Sequence, residues 1–170
     1  MNQLAIIVAL AFIILFVGIV ALLMPTGRRS GQDDTTPFKK RDLLNKSEQK
    51  VFADLAKIVP SDHHLMCQVS YGAVLQNPSR NRYMSINSKR ADFMIFDEQA
   101  QIVAVIEYQG SGHYGRSHES KARATESDRI KRSALSDAGI PLLEIPAKYA
   151  PSLLIDFMKS IITAEVASNV

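Results

Sequence analysis

The chain has 170 residues, with 20 Lys and Arg against 17 Asp and Glu, one cysteine and no tryptophan. Its length suits one modest domain once any targeting or spanning segment is set aside, and its formal charge of +3 is compatible with nucleic acid or anionic lipid but diagnostic of neither. Cys67 alone excludes an internal disulfide framework and fits a reducing compartment.

Residues 4–24 carry no charge and are apolar on every side. At 1.5 Å per residue the run reaches about 31 Å, the thickness of a hydrocarbon core, so it reads as one transmembrane helix. A cleaved signal peptide fits less well, because the start Met-Asn-Gln lacks a basic region and the apolar run is too long. A core helix would show a polar face. Arg28 and Arg29 come directly after the run, and Lys39, Lys40 and Arg41 extend the bias, which places the rest of the chain on the cytoplasmic side of the inner membrane. The polar stretch 26–37 reads as a tether. The expected organisation is an anchor over 1–25, a tether over 26–41 and an α/β domain over 42–170.

A first helix is expected near Asn45, where Asn45 and Glu48 have capping-box spacing. Val51, Phe52, Leu55, Ile58 and Val59 share its inner face, and Pro60 ends it. Leu65, Cys67 and Val69 alternate with polar residues as a half-covered strand. Residues 76–90 read as a polar loop with Arg80, Arg82, Lys89 and Arg90 around Tyr83. Strands over 91–96 and 102–108 come next, both apolar at consecutive positions and therefore central. After a glycine-containing loop, a charged helix over about 119–138 turns Ile130, Ala134, Leu135 and Ala138 inward and stops at Gly139. A fourth strand covers 141–145, and a last helix from Pro151 buries Leu154, Phe157, Ile161 and Ile162. The order αβββαβα predicts a small mixed sheet flanked by helices.

The central hairpin carries the chemistry. Pairing about a turn centred between Gln99 and Ala100 opposes residues whose numbers sum to 199. Met94 then faces Val105, Phe96 faces Val103, Phe93 faces Ile106, Ile95 faces Ala104, and Asp92 faces Glu107. Two carboxylates side by side at the end of an apolar hairpin repel each other. A hard divalent cation compensates: Mg²⁺ takes one or two carboxylates, waters and a phosphate oxygen. Period-two alternation adds Gln109 to the Glu107 face. The alternative is that Asp92 or Glu107 pairs with a base such as Arg90 or Lys131, or that the register slips.

The run Lys89-Arg90-Ala91-Asp92-Phe93, the apolar lead-in Ala104-Val105-Ile106 to Glu107-Tyr108-Gln109-Gly110-Ser111-Gly112-His113, Asp128-Arg129-Ile130-Lys131 leading into Ala138-Gly139-Ile140-Pro141, and Glu48 in the first helix resemble the PD-(D/E)XK, or restriction-endonuclease-like, superfamily. The resemblance is in particular to a bacterial domain-of-unknown-function family within it. It covers most of 43–146 and implies an αβββαβ core with a mixed central sheet and Mg²⁺- or Mn²⁺-assisted phosphodiester hydrolysis. Carried over residue by residue, Asp92 and Glu107 would be metal ligands, Gln109 would stand where the superfamily has lysine, and Glu48 would complete the metal site. His113 and Lys131 match polar positions without an assigned role. Gln109 is a departure: lysine there would stabilise the charged phosphate, whereas an amide can only orient water. Lys131 is the candidate to supply that charge from the helix.

Glu48 fits a capping box as well as a metal site. His113 and His118 read as surface histidines rather than zinc ligands. Gly110, Gly112 and Gly115 lack a Walker lysine, and the basic residues of the helix after them are balanced by acids. The expected function is a membrane-anchored, metal-dependent nuclease acting on cytoplasmic DNA or RNA. Its rivals are a nucleic-acid-binding module that has lost hydrolysis and an anchored protein-interaction domain. Whether a homodimer is needed to cut two strands stays open.

Overall fold

In the computed structural model the described residues are Gln3, residues 12–16, Ile19, residues 37–110 and residues 117–168. The chain divides into two compact units, Met1–Lys40 and Arg41–Val170. In the first, residues 12–16 and Ile19 are helical, and their large apolar side chains are between 49% and 71% exposed. Among the described residues no helix is long and apolar enough to cross a membrane. The rest of the expected anchor over 4–24, the basic pair Arg28 and Arg29, and the tether up to residue 36 lie outside the described residues.

The second unit begins with helix α1 (Lys46–Leu55). The Asn45 side chain accepts the Ser47 and Glu48 N–H groups, and Glu48 Oε2 accepts the Asn45 N–H at 2.8 Å, which completes the expected capping box. Val51 and Leu55 are fully buried. The helix stops at Leu55 instead of running to Pro60: Leu55 O accepts both the Ile58 and Val59 N–H groups, closing a tight turn that still packs Ile58 and Val59 on the core.

Strand β1 (His64–Ser70) lies at the sheet edge, antiparallel to β2 (Arg90–Phe96). Leu65 and Cys67 pack on one core cluster, but Val69 packs on the other, against the simple alternation expected. Gln68 has φ +57°, and this turn in the strand switches the face presented after it.

Helices α2 (Tyr71–Val74) and α3 (Arg80–Ile86) occupy ground that includes the expected polar loop. Tertiary packing overrides its polar composition: Ile86 is buried, and the Tyr83 hydroxyl donates to Gly72 O at 3.2 Å. Strand β3 (Ile102–Gln109) pairs antiparallel with β2. Phe93↔Ile106, Met94↔Val105 and Ile95↔Ala104 match the expected register, but Phe96 pairs with Ile102 rather than Val103. An irregularity between Ile95 and Phe96 and a left-handed Ala100 (φ +58°) absorb the difference in the turn.

Helix α4 (His118–Asp137) comes next, with Leu135 buried. Ala138, expected inward, is exposed, because it is the C-terminal cap; Asp128 is buried on the helix instead. Gly139 stops the helix at φ +68°, and the Ile140 N–H returns to Leu135 O. Strand β4 (Leu142–Pro146) runs parallel to β3, and helix α5 (Pro151–Ser168) buries Leu154, Met158 and Ile161.

The observed order is therefore αβααββαβα, and the sheet is mixed, in the order β1-β2-β3-β4. Phe93, Ile95, Ala104 and Ile106 meet α1 and α5 residues on one face. Met94, Phe96 and Val105 meet Tyr71, Ile86 and Leu135 on the other. Both central strands are covered on both sides, as their apolar runs require.

Candidate functional site

At the end of the sheet where β3 and β4 finish, α2, β2, β3, α4 and β4 bring polar side chains together. Glu107 is only 6% exposed, and each of its oxygens has a partner: Oε1 accepts the Tyr71 hydroxyl at 2.6 Å and Oε2 accepts the Lys131 ammonium at 2.9 Å. Lys131 Nζ also lies 3.9 Å from Asp128 Oδ1, a turn earlier on α4. Burial pushes the Glu107 carboxyl above the ordinary glutamate range; Lys131 and Tyr71 pull it back, and the Asp92 charge adds to the rise. Burial and the Glu107, Asp92 and Asp128 charges raise the Tyr71 phenol, so it stays a neutral donor.

Asp92 stands one pair beyond the last β2–β3 pairing. Its Oδ2 accepts the Tyr108 N–H at 2.8 Å, and Gln68 Nε2 lies 3.5 Å from Oδ1. Lys131 and Tyr71 on Glu107 and a backbone N–H on Asp92 thus compensate the two neighbouring carboxylates within the chain. Burial, then the Asp92 and Glu48 charges, raise the Cys67 thiol. Glu48 itself holds the α1 cap, and among the described residues it makes no direct contact with Glu107.

Beside Glu107, its partner in β4 is Glu144, a second like-charged pair. The residue after Lys131 resolves it: Arg132 grips both Glu144 oxygens at 2.7–3.1 Å. Consecutive cations of α4 thus serve two neighbouring carboxylates of the sheet. Gln109 Nε2 donates to Glu144 Oε1 at 3.1 Å. A carboxylate only accepts, so the amide nitrogen must face Glu144, and Gln109 Oε1 is left buried without a partner among the described residues. His113 lies outside the described residues.

Among the described residues no three His, Cys, Asp or Glu side chains form a group arranged to hold a metal. Asp92, Glu107 and the free Gln109 oxygen are nevertheless hard oxygen donors at one end of the sheet, a set that suits a cation keeping waters of its own. Glu107 uses only two of the roughly four lone-pair sites of a carboxylate.

Sequence reasoning passed over Tyr71 and Glu144, and it quoted Asp128 without giving it a role. Glu144 had a signal, a lone acid between apolar neighbours in a short strand, and Asp128 and Lys131 share a helix face three residues apart. Tyr71 had none, since its role arises from the fold.

The family described as a protein of unknown function, DUF2726, matches residues 40–161. The chain belongs to that family. The match takes in every element from α1 to β4 and most of α5, and so the whole of this site. An uncharacterized protein of Haemophilus influenzae is 38% identical over 120 residues, which cover 69% of this chain and 60% of that protein. The uncharacterized protein y4bI of Sinorhizobium fredii is 34% identical over 113 residues, 65% of this chain and 78% of that protein. No solved structure matches the chain.

Proposed function

We propose that this DUF2726 domain is a divalent-metal-dependent nuclease of the PD-(D/E)XK kind, hydrolysing phosphodiester bonds of DNA or RNA, with Lys131 supplying from α4 the cation that Gln109 lacks. The observation that carries the reading is the Lys131 ammonium at 2.9 Å from Glu107, at the sheet end that also holds Asp92. The four-stranded mixed sheet between helices agrees with the fold that the resemblance implies.

In this reading Asp92 and Glu107 are the protein ligands of Mg²⁺ or Mn²⁺, and the orphan Gln109 oxygen is a further donor to the ion or to a water. The metal, when bound, polarises a phosphoryl oxygen and lowers the pKa of a bound water. Lys131 would face the negative charge that grows on the phosphate, a role worth about 10²–10³ in rate for one well-placed donor. Tyr71 holds the Glu107 carboxylate through its hydroxyl, and Asp128 lies 3.9 Å from the Lys131 ammonium. Glu48 keeps its capping role.

The reading extends to location: residues 4–24 tether the domain to the cytoplasmic face of the inner membrane, supported by the exposed apolar side chains of the described helical positions 12–16 and Ile19. A binding module without hydrolysis is the second reading, favoured by one observation: both Glu107 oxygens already have protein partners.

The full-length protein, purified in mild detergent, is expected to cleave DNA or RNA with Mg²⁺ or Mn²⁺ and to stop with a chelator. Asp92→Asn, Glu107→Gln and Lys131→Met should each lower the rate by about 10²-fold or more. A wild type inert on both nucleic acids that still binds them in a salt-dependent way would replace the enzyme by the binding module.

A further inference from the structure

The same end of the sheet has a second face. Tyr108 is the residue after Glu107 in β3, so its ring points the other way, toward α1. There it lines a cleft of about 390 Å³ between the first turns of α1 and the segment after β4. Lys46 and Lys50, one helical turn apart, stand on one wall, and Lys148 and Tyr149 on the other. Among the described residues no carboxylate lines this cleft.

Among the described residues neither Lys46 nor Lys148 is ion-paired, and Lys50 Nζ sits 5.6 Å from the centre of the Tyr149 ring. Tyr149 is held in turn by its hydroxyl, which donates to Asp54 at 2.9 Å; burial and that contact push its phenol up to about 12. The Tyr108 ring reaches over Gly110, where a Cβ would meet it at 3.0 Å, and its hydroxyl donates to Ala147 O at 3.4 Å. The larger cleft between α3 and α4, about 510 Å³, differs in kind: its Arg82 is paired with Asp137 and its Arg129 with Glu126. Of these two clefts, the one at α1 combines uncompensated ammonium groups with fixed aromatic rings.

Lysines in a groove with aromatic rings are the means by which proteins hold single-stranded nucleic acid: the cations track the phosphates and the rings take bases. We propose that this cleft binds a single strand of nucleic acid, with Lys46, Lys50 and Lys148 on its phosphates and Tyr108 against a base. The proposal rests on the nuclease-type reading for placing nucleic acid at this end of the sheet. A strand leaving the cleft crosses the end of β3 to reach Glu107 and Lys131 on the opposite face, outside the carboxyl ends of the two parallel strands.

The test is fluorescence anisotropy of a labelled single-stranded oligothymidylate with the full-length protein in detergent micelles, titrated over a range of salt. Each phosphate contact to a single strand adds about 0.7 to the slope of log K against log salt. Lys46→Gln, Lys50→Gln and Lys148→Gln combined should lower that slope by about 2 and weaken binding. Tyr108→Leu should weaken binding about tenfold with the slope kept. Lys159→Gln, at an exposed position of α5, should change neither. The lysines are exposed and Tyr108 is half-buried, so an unchanged far-ultraviolet circular dichroism melt of each variant confirms folding.

An unchanged slope in the triple variant overturns the proposal. So does a wild type that ignores the oligonucleotide yet binds vesicles containing phosphatidylserine through the same lysines. Cleavage is read separately: a wild type that never cleaves but loses its salt-dependent binding with the three lysines keeps the cleft and removes the nuclease.

Discussion

Glu107 is a carboxylate held between a phenol and an ammonium group with almost no access to water. Because burial raises its pKa above the ordinary 4.5, the native state holds its proton more tightly than the unfolded chain. Between 4.5 and the raised native value the native state binds more protons, so this group's contribution to stability falls as pH rises through that window. Urea denaturation across pH in chelator-containing buffer should show that fall in the wild type and its absence in Glu107→Gln. Lys131→Met tests the partner: it leaves a buried carboxylate without its cation and should cost about 3 kcal/mol at neutral pH. The loss should shrink at acidic pH, where Glu107 takes a proton. A loss independent of pH would mean that Lys131 stabilises the fold through the packing of its stem alone.

At the scale of elements, the short helix α2 (Tyr71–Val74) links the site to the packing beneath α3. It delivers Tyr71 to Glu107, and its next residue, Gly72, sits against the backbone of Asn87, where a Cβ would come within 2.8 Å of Asn87 Cα. Asn87 O is also the acceptor of the Ser70 hydroxyl, so the contact cannot open without loosening the cap of α2. Gly72→Ala should therefore destabilise the domain by about 1–3 kcal/mol, as overpacking does. It should also cut cleavage or, in the binding reading, shift the Glu107 titration by moving Tyr71. Asn45→Ala, which removes only the α1 cap, should cost about 1 kcal/mol without touching the Glu107 titration. Thermal melts of the two variants compare the two losses, and equal effects on the site would refute the special role of α2.

For the molecule as a whole, the proposal joins a polar catalytic face, a basic cleft on the opposite face and an apolar N-terminal segment. A topology reporter fused after Val170 is expected to give cytoplasmic activity, and membrane fractionation should retain the chain through residues 4–24. Activity on the far side would overturn the orientation drawn from Arg28 and Arg29. Loss of membrane retention on replacing that run with a polar sequence would support the anchor.

Local pattern determined much of the domain by itself. The capping residues of α1, the stop at Gly139, the apolar runs of the two central strands and three pairs of their hairpin register were all legible, because helix ends and strand periodicity are set by neighbours a few residues away. The neighbouring positions of Asp92 and Glu107 at the sheet end came from that register. Lys131 was legible as one candidate base for the two acids and as the helix cation that stands in for a lysine at Gln109. Tertiary structure decided what periodicity could not express. It folded part of a polar stretch into α3, because burying Ile86 outweighed local polarity. It turned β1 at Gln68, shifted the hairpin at Phe96, and set Tyr71 and Lys131 on the two oxygens of Glu107 from elements 36 and 24 residues away. Partners so far apart in sequence are chosen by the packing of whole helices on the sheet, and no window of local residues contains that choice.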